Sequence, residues 1–440
     1  MLQKLFGFDA RVHSVKAEII GGVTTFFTMA YILAVNPNIF ADLGNILGAD
    51  RGMPEGACFT ATALAAVVGT LLMAFYAKKP FGLAPGMGHN AFFVYTVCVG
   101  MGYTWQFALT AILLEGILFV VLSATHLREA IVNAFPRSMQ CAIGAGIGLY
   151  IAFIGLQNAG IVVSSTSTST SVTLGSFSNP NVQLAVIGLF IIGVLMVRKV
   201  TGGLLLGIII TTLIGIPMGV TKYGGVASVP PSIAPIFCQF ELQHLFSWDM
   251  LIVVFTFLFL DIFDTMGTVV GVALKADMVD EQGKVKGVSR VFMADAVATV
   301  AGACFGTNTT TTYMESATGI ASGGRTGLTA FVIAICFALS LLFAPLFLAI
   351  PSAATGPVLV LVGVMMCTSI AQIDWEDLAV AIPSFVTMLL MPLAYSISDG
   401  IMLGVITYVV LNVLCGRARN VNVMLYVLAA LFVVRYILIA

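Results

Sequence analysis

Three acidic residues, Asp261, Asp264 and Glu315, lie in the middle of apolar stretches of a chain that otherwise keeps its charges at the ends of such stretches. An ionised group at membrane depth costs at least about 2.5–3.5 kcal/mol, so such residues indicate a functional site by default. Asp261 and Asp264 are three residues apart and therefore share one face of a helix. Because their stretches contain no Lys or Arg, at least one carboxyl is expected to be protonated part of the time. These residues predict a site that couples a proton to a ligand.

Other residues with chemical potential are weaker candidates. Glu115 and Asp295 are isolated, which is more typical of a helix-to-helix hydrogen bond than of a ligand contact. The GAGIG run at 144–148 resembles a dinucleotide fingerprint, but no strand precedes it, so close helix packing explains it better. The 8 cysteines and 4 histidines are too dispersed for a disulfide framework or a metal site. No cofactor or metal is predicted.

The composition indicates that lipid is the solvent. Of 440 residues, 59% are hydrophobic and 9% are charged, whereas soluble domains are about 25% charged. The first fifteen residues carry charges and no signal-peptide cleavage site, and no basic run is long enough for nucleic acid. We therefore expect a multi-pass protein of the cell membrane, with the lipid bilayer as its main partner.

Hydropathy predicts fourteen spans for a bilayer core of about 30 Å. The predicted spans are 19–36, 58–77, 81–100, 104–124, 138–157, 182–199, 203–221, 250–272, 289–305, 309–321, 326–349, 353–371, 377–395 and 398–414. A last apolar stretch, 421–438, is either a further span or a helix lying along the others. With a cytoplasmic N-terminus, the inside loops hold all of the 19 Lys and Arg residues except Arg51, Lys222 and Arg435. This asymmetry supports that orientation under the positive-inside rule.

Similar segments recur in the same order in the two halves of the chain. Pro136 and Pro351 precede equivalent spans, and GLLLGIIITT (203–212) matches GIMLGVITYV (400–409). Seven spans per unit is an odd number, so the second unit must be inserted upside down relative to the first. Inverted repeats with interrupted helices are typical of secondary transporters.

Two of the predicted spans cannot be ordinary membrane helices. Pro85 and the glycines of GLAPGMGHN (82–90) favour a break, and the polar, β-branched TNTTTTY (307–313) suits an extended strand. Extended backbone at that depth survives only inside protein or along a cavity, so we expect a short strand pair in the interior. Helices beginning near Asn90 and Glu315 would aim free N–H groups at the centre.

At these motifs the chain resembles the AzgA-like purine permeases, a branch of the nucleobase–cation symporter-2 family. The resemblance covers nearly the whole chain, through EIIGGVTTFFTMAYILAVNP (18–37), GLAPGMGHNAFF (82–93), FLDIFDTMGT (259–268) and TTTTYMESATG (309–319). It implies an all-α membrane protein of two inverted seven-helix repeats, with short strands in the broken helices of spans 3 and 10. The implied domains are a core domain of residues 1–125 (spans 1–4) and 223–349 (spans 8–11), and a gate domain of residues 126–222 (spans 5–7) and 350–440 (spans 12–14 and the C-terminal apolar helix).

The resemblance also implies proton-coupled uptake of adenine, guanine or hypoxanthine. The substrate-contacting Asn of the family falls on Asn90, its span-eight acid pair on Asp261 and Asp264, and its span-ten acid on Glu315. These three acids are the candidates for proton coupling. The predicted substrate-binding residues are Asn90, Asp261, Glu315, Asp264, Thr265, Thr312 and Phe26. This chain has Gly88-His89-Asn90 where Gly-Leu-Asn is expected, which puts a titratable group beside the implied site.

The chemistry of the acids independently favours a purine. A carboxylate accepts two hydrogen bonds side by side, as the N–H donors of a purine edge require, whereas sulfate or phosphate would be repelled. Hypoxanthine and guanine are favoured over adenine because they carry an N1–H. One alternative is an anion transporter or channel of the same inverted-repeat fold, and a polytopic membrane enzyme is a less favoured one. The residues leave open the exact base, Na⁺ in place of H⁺, and a homodimer.

Overall fold

The computed structural model describes residues 2–125, 135–165, 172–275 and 287–438. The helices are α1 (Leu2–Phe6), α2 (Val15–Met29), α3 (Ile32–Leu47), α4 (Glu55–Leu72), α5 (Met87–Ala91), α6 (Trp105–Thr125), α7 (Arg137–Asn158), α8 (Pro180–Val197), α9 (Gly203–Gly215), α10 (Trp248–Lys275), α11 (Val288–Phe305), α12 (Ser316–Ala321), α13 (Gly327–Ser340), α14 (Ala344–Leu348), α15 (Ser352–Met366), α16 (Leu378–Leu393), α17 (Ile397–Leu414) and α18 (Val423–Leu438). The strands are β1 (Leu83–Pro85), β2 (Val162–Ser164), β3 (Val172–Leu174) and β4 (Thr310–Thr312). Stretches of π-helix follow α4 and α5, at Met73–Ala77 and Phe92–Gly100.

The protein is a mostly helical, multi-pass membrane protein. Within the described ranges, nine helical stretches are long and apolar enough to cross a membrane. The predicted span at 203–221 is helical only as far as Gly215, because Pro217 has no backbone N–H with which to continue the helical hydrogen bonds. The last apolar stretch forms α18. The count of fourteen spans and the inverted repeat stay predictions.

Two compact units divide the chain. The first comprises Met1–Ala124 and Gly155–Val358, and the second comprises Thr125–Ile154 and Leu359–Ala440. These units are defined by contacts within one conformation. The core and gate domains are defined by relative motion, so their bounds stay predictions.

Glycines allow close helix packing in the second unit. A Cβ added at Gly146 would lie 2.5 Å from Sδ of Met391, and one added at Gly148 would lie 2.8 Å from the carbonyl oxygen of Gly363. Such distances leave no room for a side chain. The GAGIG run is therefore a packing motif of α7, as the absence of a preceding strand predicted.

In the first unit, α2 is fixed against the segment around α12. A Cβ added at Gly21 would lie 2.8 Å from the carbonyl oxygen of Gly319, so these helices pack backbone to backbone. The buried carboxylate of Glu18 accepts hydrogen bonds from the backbone N–H of Arg325 and of Thr326, each at 3.2 Å from its nearer oxygen. These bonds satisfy N–H groups that the start of α13 leaves free. The position of α12 is thereby set from α2.

The predicted strand pair is present in the interior of the first unit. β1 and β4 pair antiparallel, with Leu83 opposite Thr312 and Pro85 opposite Thr310, and all six residues are buried. The outer edge of β1 is satisfied by a side chain: Oγ1 of Thr70 accepts from the Leu83 N–H at 3.0 Å and donates to the Leu83 carbonyl at 3.1 Å. A threonine on α4 thus replaces the next strand of a larger sheet.

The ends of the pair are satisfied in the same way. The hydroxyl of Tyr313 donates to the carbonyl of Pro85 at 2.6 Å, and Nδ2 of Asn308 donates to the carbonyl of Gly86 at 2.7 Å. The Gly86 N–H donates to the carbonyl of Thr309 at 2.9 Å. These bonds meet the requirement that non-helical backbone at membrane depth be satisfied by protein.

Each strand leads directly into a short helix. α5 begins at Met87, three residues before the predicted position at Asn90, and α12 begins directly after Glu315, close to the prediction. The second strand pair, β2 with β3, was not predicted and is largely exposed.

Candidate functional site

The site is built on two segments that we name by their strands. The β1 limb is residues 83–91 and contains β1 and α5, while the β4 limb is residues 310–321 and contains β4 and α12. Antiparallel pairing of the strands places the two limbs side by side in the first unit. The predicted residues Asn90, Thr312 and Glu315 lie on these limbs, and Asp261, Asp264 and Thr265 lie on α10.

Asn90 is fully buried and has unused hydrogen-bonding capacity. Neither Nδ2 nor Oδ1 has a partner among the described residues. Leaving such a group buried and unpaired costs about 1–3 kcal/mol. Because buried polar groups are nearly always paired in native proteins, this amide points to a ligand.

His89 is also buried, and its ring lies against α10. The imidazole stacks on Phe257 with centroids 6.4 Å apart and ring planes 6° from parallel. Neither ring nitrogen has a hydrogen-bond partner in the described part of the chain. A Cβ added at Gly86 would lie 2.5 Å from Nδ1, so glycine is needed there. Phe257 precedes Asp261 by one helical turn, which puts the β1 limb beside the acids of α10.

Glu315 is half-buried and already paired. Its Oε1 accepts a hydrogen bond from the hydroxyl of Tyr31 at 2.7 Å, and the rings of Tyr31 and Tyr313 are 6.5 Å apart. One turn away on each helix, the hydroxyl oxygens of Thr28 and Thr318 are 3.1 Å apart. Sequence reasoning missed Tyr31. The available signal was a phenol in an apolar stretch, because a buried tyrosine hydroxyl usually has a partner.

Phe26, one of the predicted substrate-binding residues, packs among other phenylalanines. Its ring meets Phe337 edge to face at 5.1 Å and Phe27 at 5.7 Å. These contacts join α2 to α13. Phe26 lies five residues before Tyr31, and its aromatic neighbours are on α2 and α13, not on the β4 limb.

Asp264 connects the acids of α10 with both limbs. This half-buried residue lies beside the hydroxyl of Thr311 and near the carboxyl groups of Asp261 and Glu315. Oγ1 of Thr311 would also lie 3.2 Å from a Cβ added at Gly86. Thr311 therefore lies between the turn that precedes Asn90 and the carboxylate of Asp264.

Asp261 and Thr265 are fully buried and lie in contact with another acidic residue, Asp295. Oγ1 of Thr265 is 2.8 Å from Oδ1 of Asp261 and 2.9 Å from Oδ2 of Asp295. Thr312, also predicted for the site, donates from its Oγ1 to Oδ1 of Asp295 at 3.3 Å. The network thus links α10, α11 and β4.

Glu115 completes the network from α6. Its Oε2 accepts a hydrogen bond from Oγ1 of Thr309 at 3.0 Å, and its carboxyl lies beside Asp261 and Asp295. Glu115 and Asp295 do make hydrogen bonds between segments, as their isolation in the sequence predicted. The partners, however, are the residues that surround Asp261. Among the described residues, no group of three or more His, Cys, Asp and Glu side chains is placed to hold a metal ion.

A buried polar site between two interrupted segments of a multi-pass protein defines a transport protein of the membrane, not an enzyme. The comparisons with known proteins give the family. The family model described as Permease family matches residues 16–403. The chain belongs to this family, the nucleobase–cation symporter-2 family that its motifs resemble.

Relatives of known name agree with this assignment, and a solved structure shares the fold. The chain is 42% identical over 446 residues to the guanine/hypoxanthine permease PbuG of Bacillus subtilis, with 99% of each chain covered. It is 37% identical over 438 residues to the adenine permease AdeQ of Escherichia coli, covering 100% of this chain and 96% of that one. The transmembrane domain of a cyanobacterium bicarbonate transporter, BicA, matches with a TM-score of 0.64 at 17% identity, covering 89% of this chain and 97% of that one. The last likeness concerns the fold alone.

Proposed function

We propose that this permease takes up purine nucleobases, hypoxanthine and guanine in preference to adenine, in symport with protons. Uptake proceeds by alternating access of the core domain (1–125 and 223–349) against the gate domain (126–222 and 350–440). The N-terminus lies in the cytoplasm. The guanine/hypoxanthine and adenine permeases among the relatives support this substrate class.

The observation that carries this proposal is the combination of an unpaired amide with nearby carboxylates. Asn90 offers one donor group and one acceptor group, and Asp264 and Glu315 offer half-buried acceptors. A hypoxanthine or guanine edge has the complement: a carbonyl beside an N1–H, and a further N–H on the imidazole ring. Adenine has an acceptor at N1 and fits less well.

The full binding set that we propose comprises Asn90, Asp261, Asp264, Thr265, Thr312, Glu315 and Phe26. Asn90 and Glu315 contact the base directly. Asp261 contacts the base and shares a hydrogen bond with Thr265. Proton coupling involves Asp261, Asp264 and Glu315.

Anion transport is the alternative that the bicarbonate transporter of similar fold raises. The charges argue against it in this chain. Four of the five clustered acids lie in segments that contain no Lys or Arg. These segments are 105–125, 250–274 and 306–321. An anion at this site would meet repulsion from acids without a compensating cation. Excess bicarbonate or sulfate should therefore leave the uptake of a base unchanged.

Competition uptake in a cell that lacks its own purine permeases tests the proposal. Radiolabelled hypoxanthine should accumulate, and unlabelled guanine should compete while inosine should not. Ribose removes the imidazole N–H and would leave a buried acceptor unpaired, which can discriminate by about 10⁴-fold. Competition by inosine as strong as that by hypoxanthine would refute base recognition. A stronger effect of adenine would reverse only the order among the bases.

The driving ion is tested separately. A protonophore should abolish accumulation, and an acidic medium outside should increase it. Accumulation that persisted with a protonophore but needed Na⁺ would replace the proton by sodium in this proposal. Simple equilibration of the base across the membrane would indicate a facilitator.

A further inference from the structure

The hydroxyl of Thr265 lies between two carboxyl groups and cannot donate a hydrogen bond to both. Its oxygen is 2.8 Å from Oδ1 of Asp261 and 2.9 Å from Oδ2 of Asp295. A threonine hydroxyl carries one proton and can donate only one hydrogen bond, although it can accept others. Whichever carboxyl does not accept that proton must itself be the donor. The geometry therefore requires a proton on Asp261 or on Asp295.

The surroundings give a second reason for a bound proton. Asp261, Asp295 and Glu115 each have no solvent exposure. Their helices α6, α10 and α11 contain two basic residues, each near a helix end: Lys275 at the end of α10 and Arg290, which is exposed, at the start of α11. Several buried charges of one sign without a compensating cation are strongly unfavourable, so the cluster must take up protons.

We propose that Asp295 holds the transported proton. Its protonation state determines, through the Thr265 hydroxyl, whether Asp261 receives a hydrogen bond. This inference deepens the proposed function and rests on it. In the base-bound state, Asp295 is protonated on Oδ2 and donates to Oγ1 of Thr265, and the Thr265 hydroxyl donates to Oδ1 of Asp261. Asp261 is then an ionised acceptor for a base N–H.

Loss of the proton from Asp295 to water reverses this arrangement. Both carboxyl groups are then ionised, and Thr265 can stabilise only one of them. The two charges repel at short range, which favours release of the base together with the proton. The balance is one proton and one base per cycle, with no covalent step.

Other titratable groups surround this pair. Glu115 of α6 lies beside Asp261 and Asp295 and accepts from Thr309. Asp264 of α10 lies beside Thr311, and Glu315 of the β4 limb accepts from Tyr31. Tyr313 lies beside Glu315 and donates to a backbone carbonyl. In this set of contacts one hydroxyl bridges the Asp261 and Asp295 carboxyls, and because the proposed function makes Asp261 the acceptor for the base, the proton is assigned to Asp295.

The test uses the full-length protein in liposomes with radiolabelled hypoxanthine. Two modes are compared: accumulation driven by a pH gradient, and exchange between internal and external hypoxanthine at equal pH. Asp295→Asn carries a neutral side chain with an N–H donor, so it imitates the protonated state. We expect exchange to stay within about threefold of wild type while gradient-driven accumulation and the accompanying proton entry, followed with an internal pH dye, are lost.

Two further variants control this experiment. Thr265→Val removes the bridge and should lower gradient-driven accumulation at least tenfold. Thr268→Val, a buried threonine on the same helix, should leave both modes unchanged. Asp295→Glu keeps a titratable carboxyl and should restore part of the accumulation that Asp295→Asn loses.

The outcomes separate this inference from the proposed function. Gradient-driven accumulation and proton entry that survive in Asp295→Asn would overturn the role of Asp295. Loss of exchange as well as accumulation, with no recovery in Asp295→Glu, would also overturn it, because Asp295 would then be needed for the site itself. Wild-type protein that moves hypoxanthine with Na⁺ and without protons would overturn this inference but not base transport. Wild-type protein that moves no purine base would refute the proposed function.

Discussion

The two limbs of the strand pair differ in how their polar groups are used. On the β1 limb, the side chains of His89 and Asn90 are buried with no hydrogen-bond partners among the described residues. On the β4 limb, Thr312 and Glu315 are bonded to Asp295 and Tyr31, and Thr311 lies beside Asp264. One small group there, the hydroxyl of Thr310, is buried with no partner among the described residues. The strands themselves are equally short and equally buried.

This difference assigns different tasks to the two limbs. A ligand that hydrogen-bonds to Asn90 breaks no existing hydrogen bond within the protein. The full free energy of the new bonds therefore contributes to affinity. A ligand that bonds Glu315 joins a carboxylate that is already oriented by Tyr31. We therefore expect the β1 limb to supply most of the new hydrogen bonding and the β4 limb to supply a positioned negative charge. The predictions below test this division.

The largest effect is expected for Asn90→Ala. The variant removes two hydrogen bonds to the base, each worth about 1–1.5 kcal/mol, so affinity for hypoxanthine should fall about a hundredfold. The stability of the empty protein should not fall, because no protein bond is lost. Binding to purified protein and its thermal unfolding midpoint measure the two quantities.

Asn36→Ala is the matched control. Asn36 is equally buried, but its Nδ2 contacts Oγ1 of Thr62 at 2.5 Å and of Thr307 at 3.1 Å. Its replacement should lower the midpoint and leave the affinity of the folded protein within about twofold. The reverse pattern, with Asn90→Ala unstable and still binding, would show that the Asn90 amide is a structural group.

Glu315→Gln should have the next largest effect. A charge-assisted hydrogen bond to the base contributes roughly 1.5–3 kcal/mol, so affinity should fall about tenfold or more while the protein remains in the membrane. Glutamine retains a carbonyl that can accept from Tyr31, which preserves the local packing. Membrane content by immunoblot and hypoxanthine affinity together measure the effect; normal expression with wild-type affinity would remove Glu315 from the site.

The strand pair and its approximate limits were predictable because they depend on local signals. Pro85 and the neighbouring glycines cannot continue a helix, and four consecutive threonines favour extended backbone. The partners of the site residues were not predictable in the same way. Tyr31 and Glu315 are 284 positions apart, and Thr265 and Asp295 meet across two helices. No periodicity encodes such pairs, which is why Asp295 was judged a lesser candidate and Tyr31 was missed.

Tyr31→Phe should weaken binding about fivefold. The variant removes one donor to Glu315, and a hydrogen bond of this kind contributes about 1 kcal/mol net. The carboxylate itself remains, so the effect should be smaller than that of Glu315→Gln, and the two changes should not be additive. Affinities of both single variants and of the double variant measure this.

Tyr313→Phe controls for the loss of a buried phenol. Its hydroxyl donates to the backbone carbonyl of Pro85 and not to Glu315. The variant should therefore lower the unfolding midpoint more than it lowers affinity. Additive effects of Tyr31→Phe and Glu315→Gln on affinity would mean that Tyr31 acts on the base independently of Glu315.

The smallest effect is expected for Phe26→Leu, about twofold in affinity. Direct stacking of an aromatic ring on a base is worth about 1–3 kcal/mol, or roughly fivefold and more. The ring of Phe26, however, is already held edge to face by Phe337, a contact worth about 0.5–1.5 kcal/mol that should appear mainly as lost stability. Phe27→Leu is the control, since Phe27 follows directly and is 48% exposed. A fall of fivefold or more in Phe26→Leu alone would establish Phe26 as a stacking partner of the base. Equal affinities in the two variants would remove Phe26 from the site and leave Tyr31, two residues beyond the end of α2, as the aromatic residue of this region that acts on it.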